Sequence, residues 1–265
     1  MKPNADNPVF FMHIAKTAGS FLNERFVAAL GESLTSLHVE HWLSDFGGLQ
    51  RKLDAGMAFF SGHVMLGRWD MITRHQSRQF RMVTIVREPV EHLASHILWL
   101  DHYNDPENRV HYDRLDEAHR RVVDRIGALN ICDTGQLDAY LTSLSGIEMR
   151  LFDNCQARYF LTTGQRDHAS IRPLTLDDRI ALGVALRRFD VVARQNHLET
   201  DLPRMGQVLG ISLEHQDVRV NSGRSLRRIN TDDPFVRKTL EKRTLLDQWL
   251  WRTANATLSK ENVLA

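Results

Sequence analysis

The feature that most constrains this chain is a phrase it uses twice: a strand-length run apolar on both faces, then a short polar loop, then residues at helical apolar spacing. The first instance is Val9-Phe10-Phe11-Met12-His13-Ile14, followed by Ala15-Lys16-Thr17-Ala18-Gly19-Ser20 and a helical pattern with apolar positions 22, 26, 29 and 30 that stops at Gly31. The second is Met82-Val83-Thr84-Ile85-Val86, the link Arg87-Glu88, and a helix that opens at Pro89 and presents Leu93, Ile97 and Leu100 on one face. A strand apolar on both faces has to be covered on both, which calls for a parallel sheet between two layers of helices.

Shorter signals extend the pattern. Ala58-Phe59-Phe60 reads as a strand closing at Ser61-Gly62-His63, and Phe189-Asp190-Val191-Val192 as a fourth, set between helices at about 176–188 and 198–209. Further helices are expected over 113–129, from about Gln136, over 154–161, and from Asp233-Pro234 to Trp251, where Asp233 suits an N-cap and Pro234 the first helical position. No repeat, low-complexity tract or Pro/Gly-rich linker divides the chain. Residues 1–265 are therefore read as a single α/β domain, a central parallel sheet flanked by helices with additional helical segments. Ligands of such sheets sit at the carboxyl ends of the strands, which singles out Lys16 to Ser20, Gly62-His63 and Arg87.

Composition narrows the partners. With 42% hydrophobic and 25% charged residues among 265, the chain can bury a sizeable core and is neither disordered nor fibrous. Lys and Arg number 34 against 33 Asp and Glu, and a net charge of +1 gives no reason to expect nucleic acid or a membrane surface as partner. Cys132 and Cys155 are too few for a disulfide framework or a four-thiolate zinc site. The polar start, Met1 to Asn7, lacks a secretory signal, and no window approaches the roughly 18 apolar residues of a membrane span. A cytoplasmic protein without a membrane anchor is the expectation.

Ala15 to Ser20 falls between a buried strand and a helix N-terminus, where free backbone N–H groups attract an anion. Small residues at 15, 18 and 19 allow close approach, Lys16 adds a full charge, and Thr17 and Ser20 add hydroxyls. An ordinary strand-to-helix turn with a solvated lysine uses the same residues. The Gly-x-x-x-x-Gly-Lys-Ser/Thr loop of nucleotide triphosphatases is not present, because here the Lys precedes the Gly. After the second strand, Arg87 offers a planar fork to a phosphate and Ser95, two turns on, a hydroxyl; the plainer reading pairs Arg87 with Glu91 at the surface. Arg219, Arg224, Arg227 and Arg228 make a third basic strip within 218–231, which reads equally as a solvated loop.

His13-Ile14-Ala15-Lys16-Thr17-Ala18-Gly19-Ser20 followed by Ile85-Val86-Arg87-Glu88-Pro89-Val90-Glu91-His92-Leu93-Ala94-Ser95-His96 resembles the two cofactor loops of sulfotransferases that use 3'-phosphoadenosine 5'-phosphosulfate (PAPS). The likeness is strongest to the carbohydrate branch that includes the heparan sulfate 2-O- and 6-O-sulfotransferases. Asn154-Cys155-Gln156-Ala157-Arg158-Tyr159 is similar to the Asn-x-Gln-x-Arg helix of that branch, and Phe189 to Val192 more weakly to its next strand. Ala15 stands where the family usually has Pro, Glu88 where Asp is usual and His92 where Arg is frequent, but the anion ligands are kept. The resemblance implies a P-loop-like fold, with Lys16, Thr17, Ala18, Gly19 and Ser20 around the 5'-phosphosulfate. It implies Arg87 and Ser95 on the 3'-phosphate, with PAPS as donor and the bisphosphate PAP as product; Arg224, from the third basic strip, is the further residue read as facing the cofactor.

Gly62-His63 looks like the catalytic histidine segment of the 2-O-sulfotransferases. His63 is thus expected to take the acceptor's hydroxyl proton, a task that suits an imidazole. A satisfied histidine at a strand end is the plain alternative, and Glu24 and Glu40 are fallback bases. Lys16 would neutralise charge growing on the leaving 5'-phosphate during in-line transfer. No metal is expected: His92 and His96 lack the Glu of a His-Glu-x-x-His site, and His38 and His41 lack a third ligand nearby in sequence. The expected acceptor is a hydroxyl of a carbohydrate or glycoconjugate, with Trp42, Trp69, Trp99 and Tyr103 as either sugar-facing or packing aromatics. Two competing readings are a P-loop-like nucleotide kinase or triphosphatase binding ATP and Mg²⁺, and a non-catalytic nucleotide-binding protein.

Overall fold

The computed structural model describes residues 2–45, 47–163, 171–213 and 228–261, with side chains to 254. Strand β1 (Val9–Met12) leads through a tight loop into helix α1 (Gly19–Leu30). The two-residue strand β2 (Thr35–Ser36) and helix α2 (Gly48–Asp54) precede β3 (Phe59–Gly62). Helix α3 (Leu66–Thr73) returns the chain to β4 (Arg81–Val86), from which α4 (Pro89–Asp101) departs. Five helices follow: α5 (Arg109–Asp113), α6 (Glu117–Gly127), α7 (Thr134–Thr142), α8 (Ile147–Phe152) and α9 (Cys155–Leu161). Then come α10 (Arg179–Leu186), β5 (Val191–Arg194), α11 (Leu198–Leu209), α12 (Pro234–Glu241) and α13 (Leu245–Glu261).

Among the described residues the strands form one all-parallel sheet in the order β2-β3-β1-β4-β5. β1 is central because β3 and β4, which follow it in the chain, take opposite sides. Strand alternation splits the core into two faces. Phe10, Met12 and Phe60 face α2, α3, α9, α10 and α13, whereas Phe11, Phe59, Val83 and Ile85 face Leu22 and Phe26 of α1 and Leu202 and Met205 of α11. Trp69 stacks on Phe10 at 3.8 Å and Phe26 on Phe59 at 4.0 Å, each buried ring contributing on the order of 2–3 kcal/mol. A third cluster is helical: Leu93, Ile97 and Leu100 of α4 pack with Val122 and Ile126 of α6, Tyr140, Phe152 and Leu240. The expected α/β sheet with extra helices is thus present.

Boundaries differ where a side chain intervenes. The helix expected over 113–129 starts only at Glu117, because Asp116 caps α6 by accepting from His119 N at 2.9 Å, and a separate short helix, α5, precedes it. β5 starts later than its apolar run, since Phe189 turns to Phe160 (5.1 Å between rings) and Asp190 holds Met82 N at 2.7 Å. The last helix breaks and restarts at Leu245, where Asn154 Oδ1 accepts from Leu246 N and Asp247 N at 2.7 and 3.2 Å. Among the described residues no helix is long and apolar enough to cross a membrane.

Candidate functional site

In the sheet register Met12 stands opposite Gly62 of β3 and Thr84 of β4, so the segments that follow these strands leave from one edge. The loop after β1 is strained: Lys16 and Ala18 both take left-handed backbone, at φ 66° and 67°. Such residues cost about 1–3 kcal/mol each and persist only where the surroundings fix them. Here the surroundings do so. Thr17 donates its buried hydroxyl to the Ile14 carbonyl at 2.8 Å, and His92 donates Nε2–H to the Ala15 carbonyl at 2.8 Å. Gly19 lies against the His13 ring, with which any Cβ would collide. Left-handed residues flank Thr17, and left-handed conformations recur where successive N–H groups converge on an anion. Helix α1 adds its own N–H groups, for it has no side-chain cap and no acidic residue in its first turn. Thr17 is therefore a brace and not the spare hydroxyl donor expected, while Ser20 is exposed.

Arg87 reaches the same place, its Nη1 lying 3.4 Å from the Lys16 carbonyl. Among the described residues its buried Nε has no hydrogen-bond partner, and Lys16 has no carboxylate partner. Burial lowers the pKa of Lys16, with Arg87 adding to the effect, and burial likewise lowers that of Arg87. Two crowded, partly desolvated cations favour an anion that brings more than one charge. The surface pairing is also present: Glu91 lies 3.7 Å from Arg87 and accepts from the Thr231 hydroxyl. Half-buried Ser95 stands one helical turn beyond Glu91.

What aims Arg87 is Gln156. Its side chain accepts from Arg87 N at 2.8 Å and donates to Arg87 O at 2.9 Å. Gln156 is fixed in turn by Asp247, whose carboxylate accepts from Gln156 N and Ala157 N at 3.2 and 2.7 Å. Asn154 caps α13 while Asp247 caps α9, so the two helix starts lock reciprocally. Arg158, fully buried, pairs with Asp153 at 2.6 Å, a bond that costs about 3–5 kcal/mol to break. The spaced trio Asn154, Gln156 and Arg158 is the scaffold behind Arg87, a role the sequence pattern alone did not supply.

On the neighbouring strand His63 donates Nδ1–H to the His13 carbonyl at 2.7 Å; a carbonyl only accepts, so the neutral ring carries its lone pair on Nε2. Its backbone N–H donates to Glu40 Oε2 at 3.0 Å. Gly62 permits this approach, since a Cβ there would strike the Glu40 carboxylate and come within 2.7 Å of Val39 Cγ2. His63 is exposed as a residue, yet protein packed around it lowers its pKa, against the opposing pull of Glu40. His13, its ring 4.1 Å away, is driven down to about 2 by burial, then by His63 and His38, and stays neutral.

The remaining candidates sort cleanly. Glu40, in a short turn that no local pattern places, sits beside His63, whereas Glu24 is exposed on α1. Trp69 is core; Trp42 packs on Phe60 and under Lys52, and Trp99 between His96 and Tyr103. Arg219, Arg224 and Arg227 lie outside the described residues. One edge of the sheet thus brings Lys16, Arg87 and the helix α1 N-terminus together with an imidazole nitrogen that has no partner among the described residues, groups able to bind an anion and to take up a proton. The chain matches no protein-family model and no curated protein sequence, so the chemistry of this edge rests on its own geometry.

Proposed function

We propose that this chain is a cytoplasmic, PAPS-dependent sulfotransferase with a P-loop-like fold, acting on a hydroxyl of a carbohydrate or glycoconjugate. The observation that carries the reading is the meeting of Lys16, Arg87 with its unpartnered Nε and the uncapped α1 N-terminus, beside the bare Nε2 of His63. PAPS, when bound, supplies a sulfuryl group whose departure leaves negative charge on the 5'-phosphate. Lys16 and the N–H groups of residues 17–20 stabilise that charge. Arg87 and Ser95 hold the 3'-phosphate, with Arg224 assigned to the same task. His63 takes the acceptor proton at Nε2 while the His13 carbonyl fixes the other side of its ring. The transferred group carries less charge than a phosphoryl group, so the reaction requires no metal, and PAP is the product.

Thermal unfolding tests the reading. PAP at about 100 times its dissociation constant stabilises the fold by roughly 2.7 kcal/mol, and ADP, lacking the 3'-phosphate, is expected to do far less. A shift with ATP and Mg²⁺ but none with PAP overturns the proposal in favour of a kinase or triphosphatase. PAP binding without transfer from radiolabelled PAPS to any sugar or glycoconjugate favours the non-catalytic reading.

A further inference from the structure

Beneath the phosphate loop, His92, His96 and Cys155 bring one ligand atom each to within 4.8 Å of one another. They are 1%, 3% and 5% exposed. The two histidines lie one turn apart on α4, and Cys155 opens α9, so the fold supplies a third ligand from 59 positions away. That separation is why the sequence shows a pair of imidazoles and nothing to complete it.

The chemistry of the three groups is that of a soft-metal site. His92 spends its Nε2–H on the Ala15 carbonyl at 2.8 Å, which leaves Nδ1 with the lone pair. Metal-binding imidazoles are oriented in the same way, by a hydrogen bond from the far nitrogen to a carbonyl. His96 Nδ1 stands 3.6 Å from Cys155 Sγ, and the two imidazole rings are 5.9 Å apart, edge to face. A thiolate with two neutral imidazoles selects copper(I), zinc or a related ion. Charge separates these. One thiolate balances one positive charge, so a monovalent ion makes a neutral buried complex. A divalent ion would add a second charge next to Lys16 and Arg87, both of which already repel positive charge at His92, while at Cys155 the field of Asp247 is opposed by Arg158 and Arg150.

We infer that His92, His96 and Cys155 form a three-coordinate site for a soft monovalent metal ion of the copper(I) class, separate from the sulfuryl-transfer groups. Binding forms one metal–sulfur and two metal–nitrogen bonds, releases the thiol proton to solvent and changes no oxidation state. Through His92 the site is tied to the Ala15 carbonyl at the start of the phosphate loop.

The test offers copper(I), kept reduced under anaerobic conditions and held by a chromophoric competing chelator, to the full chain both native and during refolding. One equivalent per chain is expected to be withdrawn. Cys132→Ser should keep that uptake and Cys155→Ser should lose it with unchanged far-ultraviolet circular dichroism. If Cys155→Ser does not fold, X-ray absorption of the copper-loaded wild type decides, with one sulfur and two nitrogen neighbours expected. No uptake in either state, uptake unchanged in Cys155→Ser, a copper environment lacking nitrogen, or preference for Zn²⁺ over copper(I) in direct competition each overturns the inference.

Discussion

The two halves of the candidate site, the Lys16–Arg87 half proposed for the donor and the His63 half proposed for the acceptor, are built differently. Lys16 and Arg87 stand on interlocked buried contacts: Thr17 to Ile14, His92 to Ala15, and Gln156 to both polar groups of the Arg87 backbone. His63 stands on one bond from its ring and one from its backbone, the latter to Glu40, whose other oxygen faces exposed His38 at 3.4 Å. A donor that never changes rewards fixed geometry, because misplacement of charge is what raises the barrier. The His63 edge, proposed for the acceptor, is open to solvent.

Acid should break the donor side, and this is the largest effect expected. Burial is the chief cause holding His13 down to about 2, His92 down to about 4 and His96 well below its ordinary value, so all three are neutral in the fold. Unfolded imidazoles bind protons near pH 6.5, and below that the unfolded state gains protons that the native state refuses. Stability is therefore full above pH 6.5 and falls by about 1.4 kcal/mol per pH unit for each imidazole. Asp247 works in the opposite sense. Burial pushes its carboxyl up to about 7, so acid relieves it and offsets one of the three. A net loss of about 3 kcal/mol per unit from pH 6.5 to 4 is expected in urea midpoints, and a flat profile would show that these rings are not buried neutral.

Next in size are the two cations. Arg87→Ala should weaken PAP binding by about 30- to 1,000-fold in titration calorimetry, with little change in the acceptor KM. Lys16→Ala should lower turnover at saturating PAPS by roughly 100- to 1,000-fold and PAP affinity much less. Normal turnover in Lys16→Ala removes it from the leaving-group role. Gln156→Ala should cost about 1–3 kcal/mol of stability and weaken PAP binding without touching the ligand, because the Arg87 backbone loses both partners. Gln156→Glu, which still accepts from Arg87 N, should fall between.

The contrast also decides what was legible. Both strand-loop-helix units could be read because a buried strand and an amphipathic helix write their periods locally, and the candidate anion ligands follow the strands directly. Gln156 could be singled out by the resemblance of its segment to the Asn-x-Gln-x-Arg helix but given no task, since its partner is 69 positions away. Thr17 was misjudged because a hydroxyl looks the same whether it faces an anion or its own turn; only the fold shows it bonded to Ile14. Glu40 was a fallback base whose place could not be read, and β2 was illegible, for a short turn and a two-residue strand are set by what packs on them. Helix breaks at 114–116 and 242–244 turn on single caps that a periodicity reading averages away.

The smallest effect is the most discriminating. Glu40→Gln removes the charge that opposes burial at His63 but keeps an oxygen to accept from His63 N. His63 should therefore titrate lower still in NMR, because the opposing charge is gone. A base must be neutral to act, so the acid limb of the rate profile should move to lower pH, while the plateau drops as the imidazole becomes a weaker base. Stability should change by no more than about 0.5 kcal/mol, as befits a contact at an open edge. An acid limb moving to higher pH would mean that Glu40 does not act on His63 through its charge. A stability loss as large as that of Gln156→Ala would mean that the acceptor edge is braced as firmly as the donor side.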